Sequence, residues 1–308
     1  MKPTSIISMV VAVLLIIAGF VTCLVAENMA EAEGQALFAE NRDYGLVNTI
    51  DLAETAISKL AITVSDAQVN VYGGSETSYI ELVNFRENYY SFSDSNRVVT
   101  FDEIPDVTSM LKFWENGMSF KGIRYLLTFN EEEPEGDKVI NVYLGGDNID
   151  LKIMNITGTN CVVHLDNLVY NTEYTFNLTG GSVIMNKCLN GTSMNLTGTD
   201  IVLDMTESSI NTCNVQCSNL DFTGYRVMMP MTTIDCEVAS MDLTPAQNLS
   251  TLNFDLTLEF GSISVSGSDV GTSFLQNASS NNRIALTAVS GEVVLNDPPP
   301  MMWPPVTN

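Results

Sequence analysis

From Ile57 onward apolar and polar residues take turns along the chain, the period-two signature of strands with one buried face. Leu60, Ile62 and Val64 alternate with Ala61, Thr63 and Ser65, and after a Ser65-Asp66-Ala67 turn Val69 and Val71 resume the pattern. Tyr79–Phe85, Tyr90–Phe92 and Arg97–Phe101 predict further strands. Beyond Val139 the alternation hardly breaks. It sets Ile149, Leu151 and Ile153 on one side against Asp150 and Lys152, and turns Ile201, Leu203 and Met205 inward with Asp204 outward. Leu252, Phe254, Leu256, Leu258 and Phe260 predict one long half-buried strand, and Ile284–Leu286 and Val293–Leu295 close the series. Two stretches depart from period two. Val107, Met110, Leu111 and Trp114 have helical spacing and predict a short excursion within Pro105–Lys121, and Glu131–Asp137 reads as a charged turn.

Several of the alternating runs share a preface. Asn155 opens NITGTN, Asn177 NLTGGS, Asn195 NLTGTD and Asp221 DFTGYR. The glycines Gly158, Gly180, Gly198 and Gly224 therefore recur at intervals of 22, 18 and 26 residues, about the length of one supersecondary unit. Such recurrence predicts a mostly β protein of the β-solenoid (β-helix-like) kind. Each coil would hold two or three strands, the four glycines would be structural corners, and each coil would bury its apolar face on the next. An antiparallel β-sandwich is the alternative, because it too has short strands and frequent turns. A sandwich gives no reason for one corner motif to repeat.

The start of the chain has a different character. Ile6–Ala26 is 21 residues without a charge, enough at ~1.5 Å per residue to cross a ~30 Å hydrocarbon layer as one helix. Lys2 precedes the run, while Glu27, Glu31, Glu33 and Glu40 follow it. This predicts a single-pass plasma-membrane protein with residues 1–5 cytoplasmic and the remainder extracytoplasmic; a cleaved secretion signal, or lipidation at Cys23 in Phe20-Val21-Thr22-Cys23, is the alternative reading of the same run. Four parts result: a short cytoplasmic end and anchor over 1–26, an acidic, partly helical stalk over 27–56, a β-strand repeat domain over 57–297, and a proline-rich flexible tail over 298–308.

Leu60–Tyr72 (LAITVSDAQVNVY), Lys138–Leu144 (KVINVYL) and Ala288–Leu295 (AVSGEVVL) look like the opening strand pair, the mid-domain strand and the closing strands of one known group. Over residues 57–297 the chain resembles the bacterial putative adhesin family, membrane-anchored proteins built from β-strand repeats. The resemblance implies a β-repeat fold and a cell-surface role, and carries no catalytic residues with it. The Pro105–Lys121 excursion departs from that family's plain strand pattern.

Charge narrows the partners. Thirteen Lys and Arg stand against 37 Asp and Glu, a formal net charge of -24, which repels nucleic acid and anionic headgroups. With 45% hydrophobic and 16% charged residues the chain is not a disordered acidic polymer. Chemistry is sparse. His164 is the one histidine, and the spacings of Cys23, Cys161, Cys188, Cys213, Cys217 and Cys236 match neither a zinc site nor a redox CxxC pair, so the thiols read as small buried hydrophobes. No phosphate-binding loop, dinucleotide fingerprint, nucleophile elbow or HExxH occurs. Gly145–Asp150 (GGDNID) has a faint likeness to a calcium-binding turn. Asn155, Asn177, Asn190, Asn195, Asn248 and Asn277 each begin an N-x-Ser/Thr triplet, and three of these are the repeated turn itself.

These features predict a non-enzymatic, membrane-anchored surface module for an envelope or host ligand, needing no cofactor or metal. Two alternatives use the same residues differently. A glycan-cleaving enzyme would pair outward carboxylates among Asp150, Asp204, Asp221 and Asp255. An envelope-stress regulator would act through the anchor.

Overall fold

The computed structural model describes residues 47–52, 57–85, 90–103, 137–145, 149–278 and 281–299. The chain divides into two units, one of residues 1–44 with 106–133 and one of residues 45–105 with 134–308; every described residue belongs to the second. The expected transmembrane helix, the helical excursion near Pro105 and all but the first residues of the proline-rich tail lie outside the described residues. Among the described residues no helix is long and apolar enough to cross a membrane.

The second unit is built of strands. In chain order they are β1 (Val47–Asp51), β2 (Lys59–Ser65), β3 (Ala67–Ser75), β4 (Tyr79–Val83), β5 (Tyr90–Ser95), β6 (Val98–Glu103), β7 (Lys138–Gly145) and β8 (Ile153–Asp166). There follow β9 (Glu173–Asn186), β10 (Gly191–Thr206), β11 (Ile210–Val227), β12 (Met231–Pro245), β13 (Asn253–Val265), β14 (Ser268–Gly271), β15 (Ser273–Gln276) and β16 (Arg283–Leu295). All sixteen join one mixed sheet, whose main path β1-β4-β7-β3-β8-β9-β10-β11-β12-β16-β13-β14 does not close. This corrects both fold expectations. Coils of two or three short strands are replaced by single strands of 13 to 18 residues from β8 to β13 and at β16, and the central pairings are parallel, unlike those of an antiparallel sandwich. Val47–Asp51, inside the expected stalk, is a strand paired with β4.

Connection lengths dictate that the long strands bend. Sixteen residues of β10 would extend ~50 Å if straight. Yet only three residues lead from Thr206 to Ile210, which pairs with Gly191 at the other end of β10, and they can reach no more than ~14 Å. The strand therefore folds back on itself. The alternation records where: in β8, Met154 and Ile156 are buried, Thr159 and Asn160 are both exposed, and Cys161, Val163 and Leu165 are buried. Two successive outward residues shift the phase by one, so both arms of the bent strand keep their apolar side in the core.

Every long strand bends at the same level of the stack. Parallel register aligns Met154, Tyr174, Met194, Cys213 and Thr232 in one inward column and Val163, Val183, Leu203, Phe222 and Met241 in another beyond the bend. Two inward assignments are corrected. Phe260 falls within the corner of β13 and is 67% exposed, and Ile153, at the start of β8 and before its bend, is exposed while its neighbour Met154 is buried.

The turns after the strands stack as well. Asn167, Lys187, Glu207 and Arg226 all have left-handed backbone, and the first three donate their amide to Asn186, Thr206 and Tyr225 of the following strand. Antiparallel strands bound the parallel run. β14 and β15 cover the outer edge of β13, while β5 pairs β6 and β4 pairs β7 at the opposite side.

Candidate binding surface

Residues between the buried positions of the first arms point away from the core and line up across strands. One outward column runs Asn155, Thr175, Asn195, Asn214, Thr233; the next runs Thr157, Asn177, Thr197, Gln216, Asp235. Neighbouring strands lie ~4.8 Å apart and residues i and i+2 ~6.7 Å, which sets the mesh of this grid. The side chains are mostly amides and hydroxyls, so they can bond one another along a column: Asn214 Nδ2 donates to Asn195 Oδ1 at 3.0 Å, and Thr197 Oγ1 donates to Asn177 Oδ1 at 2.5 Å. Across five strands of a strongly acidic protein, these ten positions contain one charge, Asp235.

The glycines of the repeated motif divide between roles. Gly158 and Gly198 share one level, each opposite Leu178, immediately before the bend. Neither has positive φ; each is required because a Cβ would overlap a backbone carbonyl oxygen, that of Val64 at Gly158 and of Leu178 at Gly198. Gly180 sits in the bend with φ +70°, aligned with the left-handed Asn160 and Asp66. Gly224 is not at the bend. It pairs with Met205 and Leu243 in the second arm, where its neighbours are the side chains of Leu243, Val227 and Phe222.

The four candidate carboxylates do not form one site. Asp150 ion-pairs with Lys152 at 3.1 Å and lies 3.9 Å from Arg97, and Asp255 ion-pairs with Arg283. Asp204 and Asp221 are on the second arms of β10 and β11, aligned with Thr223 and Val202 respectively, which makes them diagonal neighbours. His164 is half-buried beside Asn70 and Ile184, and burial lowers its pKa below the ordinary value. No group of three or more His, Cys, Asp or Glu among the described residues could hold a metal ion. Of the calcium-like turn, residues 146–148 lie outside the described residues. The five described thiols are all buried, which raises their pKa, to about 11 for Cys161 and about 12 for Cys213. All six N-x-Ser/Thr asparagines are exposed or half-buried, with Asn155, Asn177 and Asn195 on the outward columns.

No protein-family model matches the chain, and no curated protein matches it. Solved structures do overlay on it. A putative cell adhesion protein from Clostridium sporogenes is 9% identical, with 82% of this chain and 99% of that one covered at a TM-score of 0.34. A putative adhesin from Parabacteroides distasonis is 10% identical, with 82% and 97% covered at a TM-score of 0.23. Overlays this loose establish neither a shared fold nor a shared role.

Proposed function

We propose that the β unit is an adhesin-like binding module with no chemistry of its own, held at the cell envelope by the Ile6–Ala26 run and facing outward. The observation that carries the reading is the polar grid of Asn155, Thr175, Asn195 and Asn214 beside Thr157, Asn177, Thr197 and Gln216. A flat, regular field of amides and hydroxyls suits an extended, uncharged polyhydroxylated partner, a neutral surface polysaccharide, because it offers many equivalent hydrogen bonds along one direction. The net charge of -24 disfavours anionic polymers.

Binding of the full chain in detergent to immobilised neutral and anionic polysaccharides tests this. The neutral class should bind, and the double variant N195A/Q216A should weaken that binding at least ~10-fold, the loss expected for two or more hydrogen bonds at an interface. Unchanged binding by the double variant, or a preference for the anionic class, overturns the reading.

A further inference from the structure

Five thiols lie in the described core, and only two of them meet. Cys161 is aligned with Gly181, Cys213 with Met194 and Thr232, and Cys188 lies in a connection. Cys217 of β11 is aligned directly with Cys236 of β12. Both point to the core side of the same arm, and at 8% and 7% exposed they are the least deeply buried of the five. We propose that Cys217 and Cys236 are a crosslinking site, joined by a disulfide when the protein folds where a disulfide carrier is present.

Geometry favours the bond. Aligned residues on adjacent strands have Cα atoms ~4.8 Å apart, inside the ~4.4–6.8 Å range that disulfides span. Room to rotate exists along the column, since the next residue on one side is Gly198 and on the other Ala288. The two thiols also feel each other: after burial, the next cause raising the Cys236 pKa is Cys217. Their β-carbons, at about the strand spacing, stand slightly beyond the ~3.5–4.5 Å preferred by a disulfide. The crosslink should therefore be reducible more readily than a relaxed structural disulfide.

Burial sets the moment of reaction. The folded thiols are pushed up to about 11 for Cys217 and about 12 for Cys236, so the thiolate that must attack is scarce once the core has closed. Exchange takes place during folding. One thiolate attacks a carrier disulfide such as oxidised glutathione and releases one carrier thiol. The second thiolate then attacks the mixed disulfide and releases the other. Two protein thiols are oxidised, one carrier disulfide is reduced, and two protons leave with the carrier thiols.

The test refolds the full chain from denaturant with reduced and oxidised glutathione, quenches in acid, and counts thiols on the unfolded product. Six cysteines are present, so losing one pair should leave four titratable thiols. Pepsin digestion should release a peptide joining Cys217 to Cys236. Cys217→Ala should leave all of its remaining thiols free, whereas Cys213→Ala should still lose two. Six free thiols in the refolded wild type, or a bond mapped to another pair, overturns the proposal. The wild-type peptide map decides the matter even if Cys217→Ala does not fold.

Discussion

Gly198 on β10 stands opposite Leu178 on β9, and a β-carbon on Gly198 would fall on the Leu178 carbonyl oxygen. The neighbouring backbone comes so close because the strand is about to fold back, and Gly158 uses the same absence of a side chain against Val64. Gly267 is glycine for the opposite reason: nothing lies within 4 Å of its added Cβ, but its φ is +78°.

The two kinds of glycine should respond differently to asparagine, which tolerates left-handed backbone. Gly198→Ala and Gly198→Asn should each destabilise by about 1–3 kcal/mol, since both carry the offending carbon. Gly267→Ala should cost about 1 kcal/mol and Gly267→Asn distinctly less. Urea unfolding of the four variants checks this, and rescue of Gly198 by asparagine would contradict the steric account.

Lys138 and Glu103 form the most enclosed of the described ion pairs. Nζ lies 2.6 Å from Oε1, with 26% and 17% of the two side chains exposed, and Glu103 Oε2 also accepts the Ser65 amide at 2.8 Å. Glu103→Gln should cost about 1–2 kcal/mol, because it weakens a charge-assisted bond and leaves a partly buried ammonium less well paired. A double-mutant cycle with Lys138→Met should show positive coupling. Additive effects would mean the pair contributes nothing.

Acid and alkali should destabilise the fold through different residues. Burial lowers the His164 pKa, so the unfolded chain binds this proton more readily than the fold does. Stability should then rise with pH up to about 6.5 and level off above it, and His164→Gln should flatten the rise. The Cys213 thiol, pushed up to about 12, has the opposite sign. Its contribution is complete below about pH 8.5, where unfolded thiols are still protonated, and falls away as pH climbs towards 12; Cys213→Ala should soften that decline. Urea midpoints across pH measure both slopes.

Strand positions were legible because period two is a local property. Leu60, Ile62, Val64, Val69 and Val71 are all buried as their alternation requires, and so are Leu203 and Met205. The bend was not legible, since it consists of one skipped beat. Continuing the alternation through Glu259 turns Phe260 inward, whereas Phe260 lies among the consecutive outward residues of the bend itself. Motif similarity misled in the same way at Gly224, whose DFTG matches NLTG in letters but stands in the second arm of its strand. The stacked turns at Asn167, Lys187, Glu207 and Arg226 share a left-handed backbone without sharing a residue type, so no composition signal marks them. For the polar grid, the alternating Asn and Thr were visible; that they align across strands depends on register, which only pairing reveals.

The antiparallel strands at the two sides of the sheet make the molecule finite. A parallel stack whose repeat is itself has no intrinsic last member, and each uncovered edge is a template for the next chain. Here β14 and β15 occupy the edge of β13, so it offers no continuous parallel edge for another chain to extend. Removing Ser268–Gln276 should uncover the edge of β13 while the opposite side stays covered, so that two molecules can pair edge to edge, seen as a concentration-dependent dimer in light scattering. A variant that stays the size of the parent would show that the uncovered β13 is not a pairing edge. The end of the parallel run is thus written in a pair of four-residue strands that belong to none of its columns.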